Sequence, residues 1–505
     1  MFLPFRFLLP ALCAVLISAV SAAPRSGAPK AVIVFLADDL GYGDTGCYGA
    51  ELIPTPNVDS LAREGLRFTD AHSSSSVCTP SRYALLTGKY PWRKHGTGIL
   101  PGNAAMIVPT SSEGMTLPSM MKKAGYKTAA IGKWHLGLGR GNVNWNELIT
   151  PGPKEVGFDE SFIMAATADR VPCVYIRNGR VENLDPKDPI EVNYKHNYPG
   201  QSTGRNNPEL LRMKTTHGHD NTIVNGIGRI GFMKGGKSAL WVDQDLADTI
   251  TKEAVRFIEK NKNTPFFLYF ATNDIHVPRD PHQRFIGKSG CGVRGDVTVQ
   301  MDDSLRQIMQ ALKKTGLLRD TLLIFTSDNG PIVDDGYADG AGSNLNGHKP
   351  AGPLRGGKYS IYEGGTRLPF IAWWPGKIKP GISDALVNHL DIAPSLARLV
   401  GCKLPGDSFP DGTDQLPALL GHSPHGRDEL VEHQTRNDAL ALRQGPYKFI
   451  LNENLPPKER STSNPGALYN LNSDLGETKD ISVQEPQIAE KMAERLRAFK
   501  KQAAL

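Results

Sequence analysis

Residues 30–37 form a nearly unbroken apolar stretch rich in β-branched side chains. That pattern predicts a strand buried on both faces of a parallel sheet. Residues 265–271 and 321–326 repeat it, 126–131 and 370–374 read as further strands, and 66–70 alternates like a half-buried one. Helical periodicity occupies residues 55–62, 117–125, 245–261, about 299–315 and 390–400. Another helix starts at Cys78, after a loop of four serines (Ser73 to Ser76). Pro80 suits its first turn, and Ala84, Leu85 and Leu86 carry it onward. This alternation predicts an α/β fold with a large, mostly parallel central sheet flanked by helices. From about residue 402 the pattern changes. Residues 439–443 and 447–451, joined by Gln444-Gly445-Pro446, predict a hairpin of a small antiparallel sheet, with residues 486–501 an amphipathic helix packed on it. The expected division is a larger unit of residues 24–401 and a C-terminal α+β subdomain of residues 402–505. Residues 140–245 are loop-rich and read as an insertion over one end of the sheet. No internal repeat is present.

Candidate chemistry falls where these strands end. Asp38 and Asp39, Lys133 and His135, His276, and Asp328 and Asn329 each follow a predicted strand. All should therefore line the carboxyl edge, where such sheets place their sites. Two adjacent acids repel, so Asp38-Asp39 suits a hard, oxygen-seeking cation such as Ca²⁺ or Mg²⁺, or else serves as a turn. In extended backbone Lys133 and His135 face one side while Trp134 faces the other, an arrangement fit for an oxyanion. Cys78, at a helix N-terminus, is placed for anionic chemistry, and Arg82 projects from the same helix face. The plainer alternative is an inert buried cysteine before a surface arginine. Glycines on both sides of Lys358 would let backbone approach a ligand closely. His217, His219 and Asp220 fit sugar contacts, a second metal site or an ordinary surface loop.

Composition narrows the setting. The chain has 505 residues, 39% of them hydrophobic, and a net charge of +6 with no long basic run. It can bury a large core, and nothing in it argues for nucleic acid. Arg6, the apolar run 7–20 and the small residues Ser21-Ala22-Ala23 make residues 1–23 a secretory signal, with a periplasmic or secreted mature chain. No later run reaches the about 18 apolar residues that a membrane span needs, so no stable anchor is expected. Cys47, Cys173, Cys291 and Cys402 are too irregularly spaced for a disulfide framework or metal motif.

The pentapeptide Cys78-Thr79-Pro80-Ser81-Arg82, followed by Leu86-Thr87-Gly88, resembles the signature of the type I formylglycine-dependent sulfatases of the alkaline-phosphatase-like superfamily. The resemblance spans nearly the whole mature chain. It implies that Cys78 is oxidised to formylglycine by a formylglycine-generating or anaerobic maturating enzyme. It further implies one Ca²⁺ on Asp38, Asp39, Asp328, Asn329 and residue 78. Arg82, Lys133 and Lys358 would hold the sulfate, with His135 and His276 as acid and base. The segments 217–220 and 330–337 look similar to exported bacterial sulfatases acting on galactose- or N-acetylgalactosamine-6-sulfate of host or algal glycans. On that likeness His219, Asp220 and Asp335, with Lys133, His276 and Lys358, frame the substrate pocket. The motif also occurs in phosphonate and phosphodiester hydrolases of the superfamily. A chain left unmodified at Cys78 would be a non-catalytic binder of sulfated glycans.

Overall fold

The computed structural model describes residues 25–94, 98–462 and 465–502, so the expected secretory signal lies outside the described residues. Along the chain a ten-stranded sheet takes β1 (Ala31–Ala37), β2 (Leu66–Phe68), β3 (Lys127–Lys133), β4 (Glu160–Met164), β5 (Tyr175–Arg177), β6 (Arg180–Val181), β7 (Phe266–Ala271), β8 (Thr321–Ser327), β9 (Phe370–Trp373) and β10 (Gly381–Ser383). Their order in space is β10-β2-β9-β8-β1-β7-β3-β4-β5-β6. The middle strands β8, β1, β7, β3 and β4 run parallel; β9 and β5 add antiparallel on either side, β2 pairs antiparallel with β9, and β10 pairs parallel with β2. β1 is fully buried because both faces are covered. Phe35 meets Phe270 and Phe325 of the two neighbouring strands at ring separations of 5.1 and 5.3 Å. Each such fully buried aromatic stabilises the sheet by roughly 1.5–3 kcal/mol.

Helices α1 (Pro56–Glu64), α2 (Cys78–Thr87), α3 (Leu117–Lys123), α4 (Leu246–Lys260), α5 (Gly292–Lys314) and α6 (Ile392–Val400) complete the layers. One group is α1, α5 and α4, packed in that order, and the other is α2, α3 and α6, so the sheet is sandwiched. Two expectations change here. Residues 140–245 are not only an overlying insertion, since β4, β5 and β6 extend the main sheet. And α5 begins at Gly292, ahead of the expected 299, because its first turn holds Gly292 and Gly295 and reads as loop. Gly295 is required there, as a Cβ would stand 2.3 Å from Ser289 Oγ.

The C-terminal sheet has four strands, β11 (Glu429–Gln434), β12 (Ala439–Gln444), β13 (Tyr447–Leu451) and β14 (Gly466–Asn470). The expected hairpin is its middle pair. α7 (Pro486–Gln502) lays Ala489, Met492, Ala493 and Leu496 on Leu430, Leu442, Phe449 and Leu468. The same cluster takes in Ala84 of α2 and Leu390, which joins the small sheet to the large one. Among the described residues, no helix is long and apolar enough to cross a membrane, and the five cysteines are free thiols.

Candidate active site

The ends of β1, β3, β7 and β8 bring the candidate residues to one edge of the sheet, beside α2. Its ten residues are all buried, and Gly88 closes it in the left-handed region with its N–H on the Ala84 carbonyl at 2.8 Å. Cys78 opens the helix at 2% exposure. Burial pushes its thiol up, against the pull of Lys133 and Lys358. Its Sγ lies 3.3 Å from His135 Nδ1. His135 is not in extended backbone as the sequence reading supposes. The strand ends at Lys133, and His135 has φ 55, held by Thr79 Oγ1 donating to its carbonyl at 3.0 Å. Gly132, at φ +103, lets β3 reach this point, since a Cβ there would sit 1.9 Å from the Ala271 carbonyl oxygen.

Around Cys78 stand three acids and three cations without solvent. Arg82 Nε and Nη2 both reach Asp328 Oδ2 at 2.8 Å. Lys133 Nζ donates to both oxygens of Asp38 at 2.7 and 2.6 Å. Lys358 Nζ donates to Asp39 Oδ2 and Asp335 Oδ2, each at 2.9 Å. Burial raises Asp38 well above the usual carboxylate range, with Lys133 opposing and Asp328 and Asp39 adding. In Asp39 burial is outweighed by Lys358, Lys133 and Asn329, and its pKa falls. Asn329 donates from Nδ2 to Asp39 Oδ1 at 2.7 Å, while its buried Oδ1 has no hydrogen-bond partner. An orphaned carbonyl oxygen beside three carboxylates is an all-oxygen donor set suited to a hard divalent cation. Asp38, Asp39 and His276 also have the mutual spacing of a metal site.

The two histidines present defined atoms. His135 Nε2 faces the Leu100 carbonyl at 2.9 Å, so that nitrogen carries the proton and Nδ1 turns its lone pair to Cys78. His276 Nδ1 likewise donates to the Val277 carbonyl at 2.8 Å and leaves Nε2 facing Asp39 at 3.9 Å. Burial, then nearby cations, hold both rings well below the ordinary histidine value: Lys133 and Arg170 at His135, Lys358 and Lys133 at His276.

Beside this cluster, His219 Nε2 meets Asp169 Oδ2 at 2.9 Å, and Arg170 Nη1 donates to both Asp169 oxygens at 2.7 Å. Burial works against a charged His219, but Asp169 and the His217 carbonyl outweigh it and its pKa rises. The ring packs 4.8 Å from Tyr337. Gly336, at φ +104, leaves the room, for a Cβ would fall 1.9 Å from His219 Nδ1. Asp220 goes elsewhere. Its carboxylate accepts from the exposed Arg205 at 2.9 and 3.2 Å rather than joining the cluster, because the backbone turns through left-handed conformations at Gly218 and His219 (φ 56 and 51) just before it.

The sulfatase family profile matches residues 30–402. The chain is 49% identical over 483 residues to the N-acetylgalactosamine-6-O-sulfatase of Bacteroides thetaiotaomicron, covering 94% of each chain. The chain belongs to the sulfatase family. It is also 33% identical to human arylsulfatase A, over 92% of this chain and 86% of that one. Among solved structures, one from glycosaminoglycan metabolism by Bacteroides thetaiotaomicron superposes with a TM-score of 0.90 at 47% identity, covering 94% of this chain and all of that one (100%). This protein is accordingly a sulfuric ester hydrolase.

Two features beside the cluster take their place only from the fold. Asp169 and Arg170 stand in the loop-rich stretch as a charged pair, and the short strand Glu160–Met164 before them gives no landmark that would put them at the sheet edge. Arg279 is a buried rivet. It donates to the carbonyls of Ile275, Ile332 and Val333 at 2.9, 2.7 and 3.0 Å and to Asp339 at 2.8 Å, tying the His276 loop to the Asp335 loop. Arg279→Met strands a buried carboxylate and three carbonyls, and a loss of about 3–5 kcal/mol in urea unfolding is the expected outcome. A loss below about 1 kcal/mol would show that the loops hold each other without it.

Proposed function

We propose that this sulfatase is exported and removes the 6-sulfate of galactose-type sugars, N-acetylgalactosamine foremost, from sulfated glycans. The catalytic unit is residues 24–401, with 402–505 its subdomain. The observation that carries the reading is the placement of Cys78 Sγ 3.3 Å from the free lone pair of His135, inside a ring of buried acids and cations. The sugar assignment draws on the 49% identical relative and on the polar group Asp169, Arg170, His219 and Asp335 beside the cluster.

Cys78 would be present as formylglycine, made by a dedicated maturating enzyme, and Asp38, Asp39, Asp328 and Asn329 would hold one Ca²⁺ with residue 78. Together these groups supply a hydrated aldehyde oxygen as nucleophile and a charge that favours its ionised form. The charge balance fits the substrate. Asp38, Asp39, Asp328 and Asp335, counted ionised, against Arg82, Lys133 and Lys358 leave one negative charge. A divalent ion turns that to one positive, matching a sulfate monoester. Arg82 keeps Asp328 in place, and Lys133 and Lys358 neutralise the sulfate oxygens. His276 Nε2 would deliver a proton to the departing alcohol once the ring is protonated. Burial, Lys358 and Lys133 hold the ring neutral, and the negative charge of a bound sulfate offsets the two lysines and favours the protonated form. His135 Nδ1 withdraws the proton that lets sulfate leave.

The test is sulfate release from 6-, 4-, 3- and 2-sulfated monosaccharides by protein co-expressed with a maturating enzyme, before and after chelation. Selective release from 6-sulfated N-acetylgalactosamine is expected. Chelation should remove activity by on the order of 100-fold, and Ca²⁺ should restore it. Faster cleavage of a phosphodiester would overturn the sugar reading, and an intact thiol at residue 78 with tight glycan binding would make the chain a binder.

A further inference from the structure

A second buried ionic cluster joins the small sheet to the loop that carries Lys358. At its hub, Lys448 of β13 lies 3.0 Å from Glu363, 2.7 Å from Glu432 and 3.3 Å from Glu477, all without exposure. Arg443 and Arg367 pair with Glu363 and Asp70, and His72 stands 2.8 Å from Asp70. Asp70, His72 and Glu363 are spaced like metal ligands. Arg443, Arg367 and Lys448 already meet those acids, so the group is an ion network.

Glu477 bonds the main chain of the Lys358 loop as well as Lys448. Its Oε2 accepts from the Glu363 N–H at 2.6 Å, and its own carbonyl accepts from Arg355 Nη1 at 2.7 Å. It does so from φ 50, a strained conformation for glutamate that surrounding contacts must hold. The Arg355 guanidinium rests 3.6 Å over the Tyr362 ring. Arg355 precedes Lys358 in the chain and Glu363 follows it, so Glu477 grips both ends of one loop. Within the loop, Lys358 N–H donates to the Pro331 carbonyl at 2.9 Å and Tyr359 N–H to that of Ser76 at 3.0 Å.

We propose that Glu477 is a positioning residue of the sulfatase site: by holding Arg355 and Glu363 it sets Lys358 Nζ against Asp39 and Asp335. The inference rests on the role of Lys358 given above. The charged groups facing Glu477 are Lys448 of β13, Glu432 of β11, Glu363 and Arg355. Burial pushes its carboxyl from 4.5 up to about 7, with Lys448 opposing and Glu363 and Glu432 adding. The fold thus favours the protonated form. That stability is fully present below 4.5 and is lost as pH rises through about 7. Glutamine keeps the acceptor oxygen and cannot ionise.

The experiment compares wild type, Glu477→Gln, Glu477→Asp and Glu477→Ala, full-length and matured by co-expression. Amide hydrogen exchange of residues 355–366 should rise about 10-fold or more in Glu477→Ala and Glu477→Asp, with α1 and α4 unchanged. Glu477→Ala should lower kcat/KM by about 10-fold in wild type but by less than about 2-fold in a Lys358→Ala background. Glu477→Gln should stay within about 2-fold of wild type and lose its unfolding temperature less steeply between pH 6 and 8. Unchanged exchange in both Glu477→Ala and Glu477→Asp, or an equal kcat/KM loss with and without Lys358, overturns the proposal. A wild type that releases sulfate from no ester refutes the functional reading instead, and exchange still decides whether Glu477 holds the loop. Should Glu477→Ala fail to fold, Glu477→Asp and the Glu477→Gln pH profile decide.

Discussion

A Cys78→Ser chain, produced with the maturating enzyme, is expected to lose turnover by on the order of 10⁴-fold or more while taking up at most one sulfate per molecule. The substitution barely disturbs packing, for serine is smaller than cysteine and keeps a hydroxyl donor toward the lone pair of His135 Nδ1, which lies 3.3 Å from Sγ. Its hydroxyl can still be drawn to sulfur by the helix N-terminus and the lysines. One oxygen–sulfur bond then forms as the ester bond breaks, and the alcohol leaves with a proton from His276. The chemistry stops there. A serine sulfate has no second hydroxyl for His135 to deprotonate, and its carbon–oxygen bond gives no carbonyl on departure. Intact mass of the peptide bearing residue 78 reads the retained sulfate, and thermal unfolding separates this arrest from loss of fold. Repeated turnover by the serine variant at the wild-type rate would refute the assignment of residue 78.

How much of this was open to a reader of the sequence depends on what each residue's signal was. β1, β7 and β8 announce themselves because strands covered on both faces cannot carry polar side chains. The acids and cations that follow them stand out by contrast, and the sheet's parallel register brings them to one edge. β11 gave no such signal. Glu432 and His433 are buried charged or polar residues in a strand, tolerable because Lys448 meets Glu432 at 2.7 Å and Asp438 meets His433 at 3.2 Å. The same holds for Arg294, whose burial at the start of α5 depends on Asp44 and on the Asp39 carbonyl at 3.0 Å. His219 and Asp220 show the limit at single-residue scale. Both have the chemistry for a sugar, and only the path of the backbone decides that His219 meets Asp169 while Asp220 meets Arg205.

Asp328→Ala is expected to combine the largest stability loss with complete inactivity. Asp328 accepts from Arg82 at Nε, lies 2.8 Å from Nη2, takes the Asp39 N–H at 3.3 Å and stands 3.9 Å from Lys133. Burial would lower the Arg82 pKa, yet Asp328 and its neighbours hold it above the ordinary value, so the guanidinium stays charged. Removing the carboxylate leaves that charge buried with the Lys133 carbonyl at 3.0 Å and the Tyr269 hydroxyl at 3.4 Å as hydrogen-bond acceptors and Asp38 3.8 Å away, already paired with Lys133. Stranding one member of a buried ion pair costs about 3–5 kcal/mol. Urea unfolding should therefore show a lower midpoint at unchanged slope. Ca²⁺ gives the second readout. At about 100 times its dissociation constant, an ion bound only by the folded chain adds roughly 2.7 kcal/mol, raising the wild-type melting temperature. The alanine variant should show little of that rise. Asp328→Asn, which keeps one oxygen for Arg82 but loses the charge, should fall between them in stability and remain inactive. A wild-type Ca²⁺ response in the alanine variant would remove Asp328 from the ligand set. A destabilisation below about 1 kcal/mol would mean that Arg82 is balanced by Asp38, 3.8 Å away, rather than by Asp328.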